Sequence, residues 1–142
     1  MFIEWSDKLL TGNAEIDDQH KEIFDRAARL LNKANQTEIE EKATEIINDL
    51  EEYILKHLAA EELLQASYDF PQHEAHREIH ENFRQQVTQM KTDIVLQGIN
   101  YERAAGIIVF MLKWLAEHID KFDRDFAAFM KNAPTKNGMP TK

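Results

Sequence analysis

The chain has no cysteine. That absence excludes disulfides, thiolate metal sites, iron–sulfur ligation and a cysteine nucleophile together. Glycine occurs four times and proline three times in 142 residues, so few positions can interrupt a helix. No apolar run reaches the roughly 18 residues of a membrane span, and no membrane insertion is expected. The opening Met1-Phe2-Ile3-Glu4-Trp5 places an acid early and lacks the basic-then-apolar order of a secretory signal, which makes a cytoplasmic location the expectation. Positive charge is in deficit, with 17 Lys and Arg against 26 Asp and Glu and a formal net charge of −9. Such a chain is repelled by phosphates and anionic lipid, so nucleic acid is not expected as a partner.

What is present, 43% hydrophobic and 30% charged residues, is the composition of one globular domain. No stretch alternates in the manner of a strand between turn signals, and the punctuation predicts four helices. An irregular arm over residues 1–17 precedes a first helix from Asp18 to about Asn35. Thr37 and Glu40 form a T-x-x-E capping box ahead of a second helix that runs to about Ser67. Pro71 suits the first turn of a third helix, which Gly98 terminates. Asn100 caps a fourth helix reaching about Lys131. Pro134 stops it and leaves 134–142 as a loose polar tail, so the domain spans 1–133. Long helices with short connections imply an all-α, antiparallel up-down-up-down four-helix bundle.

Each helix carries a seam at alternating three and four spacing. The second reads Ala43, Ile47, Leu50, Ile54, His57, Glu61, Leu64. The third reads His76, His80, Phe83, Val87, Met90, Ile94. The fourth reads Ile108, Met111, Leu115, His118, Phe122. The first reads His20, Ile23 or Phe24, Ala27, Leu31, Ala34. Five histidines and a glutamate thus fall where apolar side chains belong. A buried unpaired carboxylate costs several kcal/mol and each unpaired imidazole about 1–3 kcal/mol. A domain stable by about 5–15 kcal/mol cannot carry all six uncompensated.

Their heights agree. His20 lies 16 residues before Gln36 and His57 lies 21 after it, while His80, His76 and His118 lie 18, 22 and 20 residues from Gly98. At about 1.5 Å per residue these positions fall within roughly 9 Å of one level. A single histidine on a helix seam is ordinarily a satisfied core residue; five at one level beside Glu61 point to a metal site. His57-x-x-x-Glu61 and His76-x-x-x-His80 each place two donors one turn apart on one face. His118 and Asp123 are five apart, which an ideal helix splays by about 140° and which needs a loosened, π-type turn to bring together. Asp123 also sits one step from the seam at Phe122, so a solvated acid is the other reading of it. Five imidazoles and two carboxylates exceed the four ligands of a structural zinc site and suit two bridged ions. Iron is the first choice, with zinc and manganese also allowed by the donors.

At this point the residues resemble a known family, the single-domain bacterial hemerythrins. The resemblance runs from Trp5, Gly12 and Ile16-Asp17-Asp18-Gln19-His20 through His57-Leu58-Ala59-Ala60-Glu61-Glu62. It continues with Phe70-Pro71, His76-Arg77-Glu78-Ile79-His80 and Phe83, and ends at Trp114-Leu115-Ala116-Glu117-His118-Ile119 and Asp123. It implies two iron ions with an oxo or hydroxo bridge and O2 as their ligand. His76, His80 and His118 would hold one ion and His20 and His57 the other. Glu61 and Asp123 would bridge them, and O2 would enter the vacant position on the two-histidine side. Ile23, Leu58, Trp114, Leu115 and Ile119 match the family's apolar pocket, whose dryness would slow proton-assisted loss of the bound ligand. The implied function is reversible O2 binding for storage, transport, delivery or sensing, with no enzymatic activity and with room for a separate protein partner. The alternative is a di-iron enzyme reactive toward O2 or peroxide, or a redox or nitric-oxide sensor. Ferritin-like oxidases, however, use Glu-x-x-His motifs, and none occurs here.

Three positions depart from the family pattern. Leu58 stands where an aromatic residue is usual, Gln65 where methionine is frequent, and Phe70 where tyrosine is common. His73 is a sixth histidine on the His76 face. It reads either as a partly exposed residue near the start of the third helix or as a support to the site or a substitute ligand in it.

Overall fold

The computed structural model describes residues 5–31, 36–133, 135–136 and 139–140. Its helices are α1 (Ala14–Leu30), α2 (Gln36–Ser67), α3 (His73–Gln97), α4 (Tyr101–His118) and α5 (Arg124–Asn132), with a π-helical turn over Ile119–Asp123 joining the last two. Together α4, that turn and α5 form the fourth rod of an antiparallel bundle, in which α2 packs along α1, α3 and α4. Among the described residues no helix is long and apolar enough to cross a membrane.

The helix starts follow local chemistry, and one begins earlier than the spacing predicts. Asn13 is the N-cap of α1, its side chain accepting from the Ile16 amide at 3.0 Å. The Asp17 carboxylate in that first turn accepts from Thr11 N at 2.9 Å, Thr11 Oγ1 at 2.8 Å and Gly12 N at 3.2 Å. Those bonds tie the arm to the bundle, and Gly12 makes the loop possible at φ +95°. Asp17 therefore belongs to the helix rather than to the arm. Ahead of it, Trp5 meets Phe24 edge-on at 5.8 Å.

Gln36 is already helical, so Thr37 lies inside α2 and the capping box expected at Thr37 and Glu40 does not start it. The helix departs from helical geometry once, at Lys42 (φ −121°, ψ 22°). Ala34, Asn35 and Pro134, named in the sequence reading, lie outside the described residues. Pro71 precedes α3 instead of opening it. The expected stops at Gly98 (φ +96°) and the Asn100 cap on Arg103 N are present. Thr135 and Lys136 pair antiparallel with Pro140 and Met139.

The end of α2 has the wiring of a Schellman motif. Asp69 N donates to Ala66 O at 3.2 Å and Phe70 N to Gln65 O at 3.0 Å, around Asp69 at φ +54°. Asp69 is the one non-glycine residue with positive φ among the described residues. Asp69→Gly is expected to raise stability by about 0.5–1 kcal/mol by removing the Cβ strain of that conformation. Chemical denaturation of the two proteins checks it.

Two apolar clusters fill the interior. The larger includes Ile23, Ile54, Leu58, Phe83, Val87, Met111, Leu115 and Ile119; the smaller holds Ile16, Phe70, Phe126, Ala127 and Met130. A polar residue falls between the two clusters on three rods: His20 between Ile16 and Ile23, Glu61 between Leu58 and Leu64, and Asp123 between Ile119 and Phe126. His76 and His80 lie between Phe83 and Phe70, which precedes α3. The bundle is therefore two apolar layers separated by one polar layer.

Candidate metal centre

α1 brings His20 to the polar layer, α2 brings His57 and Glu61, α3 brings His76 and His80, and α4 brings His118. Asp123 arrives on the π turn. None of the seven is more than 3% exposed. The π turn answers the five-residue spacing. A wider turn advances each residue by less angle, so Asp123 swings in beneath His118 and takes the seam position. Phe122, expected in the core, is instead 37% exposed, although its ring stays 5.4 Å from that of His118.

The donor atoms form two groups, each mutually within 4.8 Å: Glu61 with His76, His80 and His118, and Glu61 with His20, His57 and Asp123. The carboxylate oxygens divide between them. Glu61 Oε1 lies 3.2, 3.3 and 3.7 Å from Nε2 of His76, His80 and His118, while Oε2 lies 3.8 Å from His57 Nε2. Asp123 Oδ2 lies 3.1 Å from His20 Nε2, and Oδ1 lies 3.0 and 3.3 Å from His118 and His76. Each acid thus turns one oxygen to a three-histidine set and the other to a two-histidine set. The imidazoles converge Nε2-first, with His20 and His57 at 2.9 Å and His76 and His118 at 2.7 Å.

All four carboxylate oxygens are buried without an assigned hydrogen bond, although imidazole nitrogens lie 3.0 to 3.8 Å from them. Desolvated anionic oxygens without donors are costly unless a cation meets them. The orphaned oxygens and the nitrogen–oxygen donor set both fit metal ions of the iron, zinc and manganese kind.

Charge in the cluster tells the same story. Burial dominates at His57, with His20 beside it, and lowers its pKa to about 4. Burial also opposes charge on His118, but Asp123 and Glu61 outweigh it and raise that pKa to about 9. Burial pushes both carboxyls upward and Asp123 adds repulsion at Glu61, yet the surrounding histidines hold Glu61 below its ordinary range and Asp123 well below. Ionised acids at the centre of the bundle demand positive charge next to them.

For protein stripped of metal by a chelator this sets the sign of two pH effects. His57 titrates near 6.5 unfolded and about 4 folded, so the unfolded chain binds more protons between those values and stability falls as pH drops through them. His118 titrates near 6.5 unfolded and about 9 folded, so its contribution is complete below 6.5 and is lost as pH rises through 9. Metal-free stability should peak near pH 6.5, the reference value these two histidines share. Denaturant melts across pH 4 to 9, read by circular dichroism, test the position of that peak.

A second layer orients the rings. His57 Nδ1 donates to Gln19 Oε1 at 2.5 Å, and His80 Nδ1 donates to Glu62 Oε2 at 3.0 Å. Arg84 Nη2 holds Glu62 in turn at 3.2 Å. An Nδ1 proton fixed this way leaves the Nε2 lone pair free for a metal. His118 Nδ1 lacks a partner, but its ring stacks on Trp114 at 4.6 Å and 11°, and Trp114 stacks on Phe83 at 4.2 Å. Trp114 is half-buried, while Ile23, Leu58, Leu115 and Ile119 are fully buried beside the polar layer.

The sequence reading did not single out Gln19, Glu62 or Arg84 as supports of the site. Gln65 carried a signal, being polar and one turn beyond Glu61 on the seam, and it is wholly buried. His73 joins neither donor group; it is half-buried, with Nδ1 3.3 Å from Gln65 Oε1.

Comparison with known proteins agrees with this construction. Residues 11–130 match the family model described as the hemerythrin HHE cation binding domain. The chain is 30% identical over 129 residues to a protein named bacteriohemerythrin from Pseudomonas paraeruginosa, covering 91% of this chain and 82% of that one. A bacteriohemerythrin from Clostridium acetobutylicum is 28% identical over 132 residues, covering 89% of this chain and 98% of that one. A hemerythrin-like protein from Naegleria gruberi is 27% identical over 124 residues, or 86% of this chain and 88% of that one. With a model match across almost the whole bundle and the donor cluster at its centre, the chain belongs to the hemerythrin family of cation-binding four-helix bundles.

Proposed function

We propose that this chain binds O2 reversibly at a pair of iron ions, and that it serves oxygen storage, transport, delivery or sensing rather than catalysis. His76, His80 and His118 hold one ion and His20 and His57 the other. Glu61 and Asp123 bridge the two, together with a solvent-derived oxo or hydroxo group. The observation that carries this reading is the division of each carboxylate's oxygens between the two histidine sets.

A reduced iron pair supplies the electrons that make O2 binding strong and reversible. The protein's part is to place and protect that pair. Five neutral imidazoles and two carboxylates offset part of the charge of two dications without adding a large negative surplus. Fewer ligands on the two-histidine side leave room for a small molecule there. Ile23, Leu58, Leu115 and Ile119 keep water and protons away from that side, and Trp114 closes the histidine stack behind it.

Leu58→Phe should narrow the pocket and slow autoxidation of the oxygenated protein. Autoxidation as fast as or faster than in the parent would contradict the assigned role of Leu58. The metal assignment is tested by loading the protein anaerobically with ferrous iron, desalting and counting iron, with two ions per chain expected. A stable stoichiometry of one or none would refute it.

A further inference from the structure

Gln65 has 0% exposure, a polar amide sealed in the bundle. Its Nε2 lies 2.5 Å from His76 Nδ1 and its Oε1 lies 3.3 Å from His73 Nδ1. One side chain of α2 therefore spans two histidines of α3, one buried in the metal layer and one reaching the surface.

An amide can present either end in the same outline. A His76 that offers its Nε2 lone pair to a cation carries its proton on Nδ1. Gln65 Oε1 is then the atom that accepts that proton, and Gln65 Nε2 donates to the Nδ1 lone pair of His73. Neutral histidine exists in both tautomers, so His73 suits this arrangement without movement of either helix. An apolar residue at 65 would leave His76 Nδ1–H buried with no acceptor, and the ring would be free to adopt the tautomer that cannot bind metal.

We propose that Gln65 is a positioning residue for the metal centre. It fixes the tautomer and ring direction of His76, and His73 anchors its other end. The proposal rests on the two-metal reading above and adds an asymmetry to it: only the three-histidine site depends on Gln65.

The test is anaerobic titration of the full chain with Co2+, followed by the visible absorption of the bound ion, together with thermal melts of metal-free protein. The parent is expected to take two Co2+. Gln65→Leu, similar in volume, is expected to weaken one site about 10–100-fold and leave the other unchanged, as loss of an outer partner of a ligating histidine does. Its metal-free melting temperature should fall by a few degrees, since the His76 ring nitrogen loses its buried partner. Gln65→Glu keeps an acceptor for Nδ1–H and should restore tight binding. His73→Ala should weaken the same site to a smaller extent, and unchanged binding would remove His73 from the arrangement. Two sites as tight in Gln65→Leu as in the parent would overturn the proposal. Equal weakening of both sites would overturn it too, by showing a packing role. A parent that takes fewer than two Co2+ would instead refute the two-metal reading.

Discussion

Glu61→Gln is expected to destroy the paired metal centre, lowering bound iron from two ions per chain to one or none. Glu61 is the one residue present in both donor groups, and its two oxygens face different histidine sets. Glutamine keeps the shape but replaces one anionic oxygen with an NH2 group whose hydrogens point at a cation. It also removes one of the two carboxylate charges in a layer where every donor is at most 3% exposed. At such low solvent access a single charge weighs heavily, because water cannot screen it. The fold itself should survive, since both apolar clusters are untouched, and far-ultraviolet circular dichroism of the metal-free variant checks this. A variant that retains two irons and an unaltered spectrum would show that Glu61 is not a bridge.

Metal removal should have the next largest effect. An ion that binds only the folded chain stabilises it by about 4 kcal/mol at a thousandfold excess over its dissociation constant. For a domain of this size two such sites correspond to a shift of about 10 °C or more in melting temperature. The layered interior says where the loss falls. Without cations the central layer holds carboxylates without hydrogen-bond partners, and the small cluster around Phe70 and Phe126 is separate from the large one. Amide exchange in α5 (Arg124–Asn132) should therefore rise more than exchange in the middle of α2. Equal melting temperatures with and without chelator would contradict this account.

Much of the bundle was legible in the residues because apolar periodicity reports a packed face directly. Ile47, Leu50, Ile54, Phe83, Val87, Ile108 and Met111 all lie where their spacing puts them, at most 2% exposed. The helix starts were less legible, because a cap is a local contest between side chains and backbone. Asn13 won at α1 through one hydrogen bond, while Thr37 at α2 sits inside an existing turn. Phe122 shows the limit of a fixed period. A hydrophobic residue at the expected seam position was displaced outward by the one wide turn in the rod, and its acidic neighbour took the inner place.

The donor set was legible for a different reason. Five histidines and a glutamate on apolar seams violate patterning, and residues that break a local rule together point to one compensating partner. Asp123 needed the family resemblance, and the π turn supplies the physical reason. The supports Gln19 and Glu62 were not assigned from sequence because they approach Nδ1 from the flank of the seam, where no periodicity marks them.

The central claim is tested most directly by the visible spectrum of iron-loaded protein, reduced without air, exposed to O2 and then returned to vacuum. A charge-transfer band that appears with O2 and vanishes on its removal over repeated cycles is the predicted result. A band that decays at once to a permanently ferric spectrum would contradict reversible binding and favour an oxidising enzyme or a redox sensor.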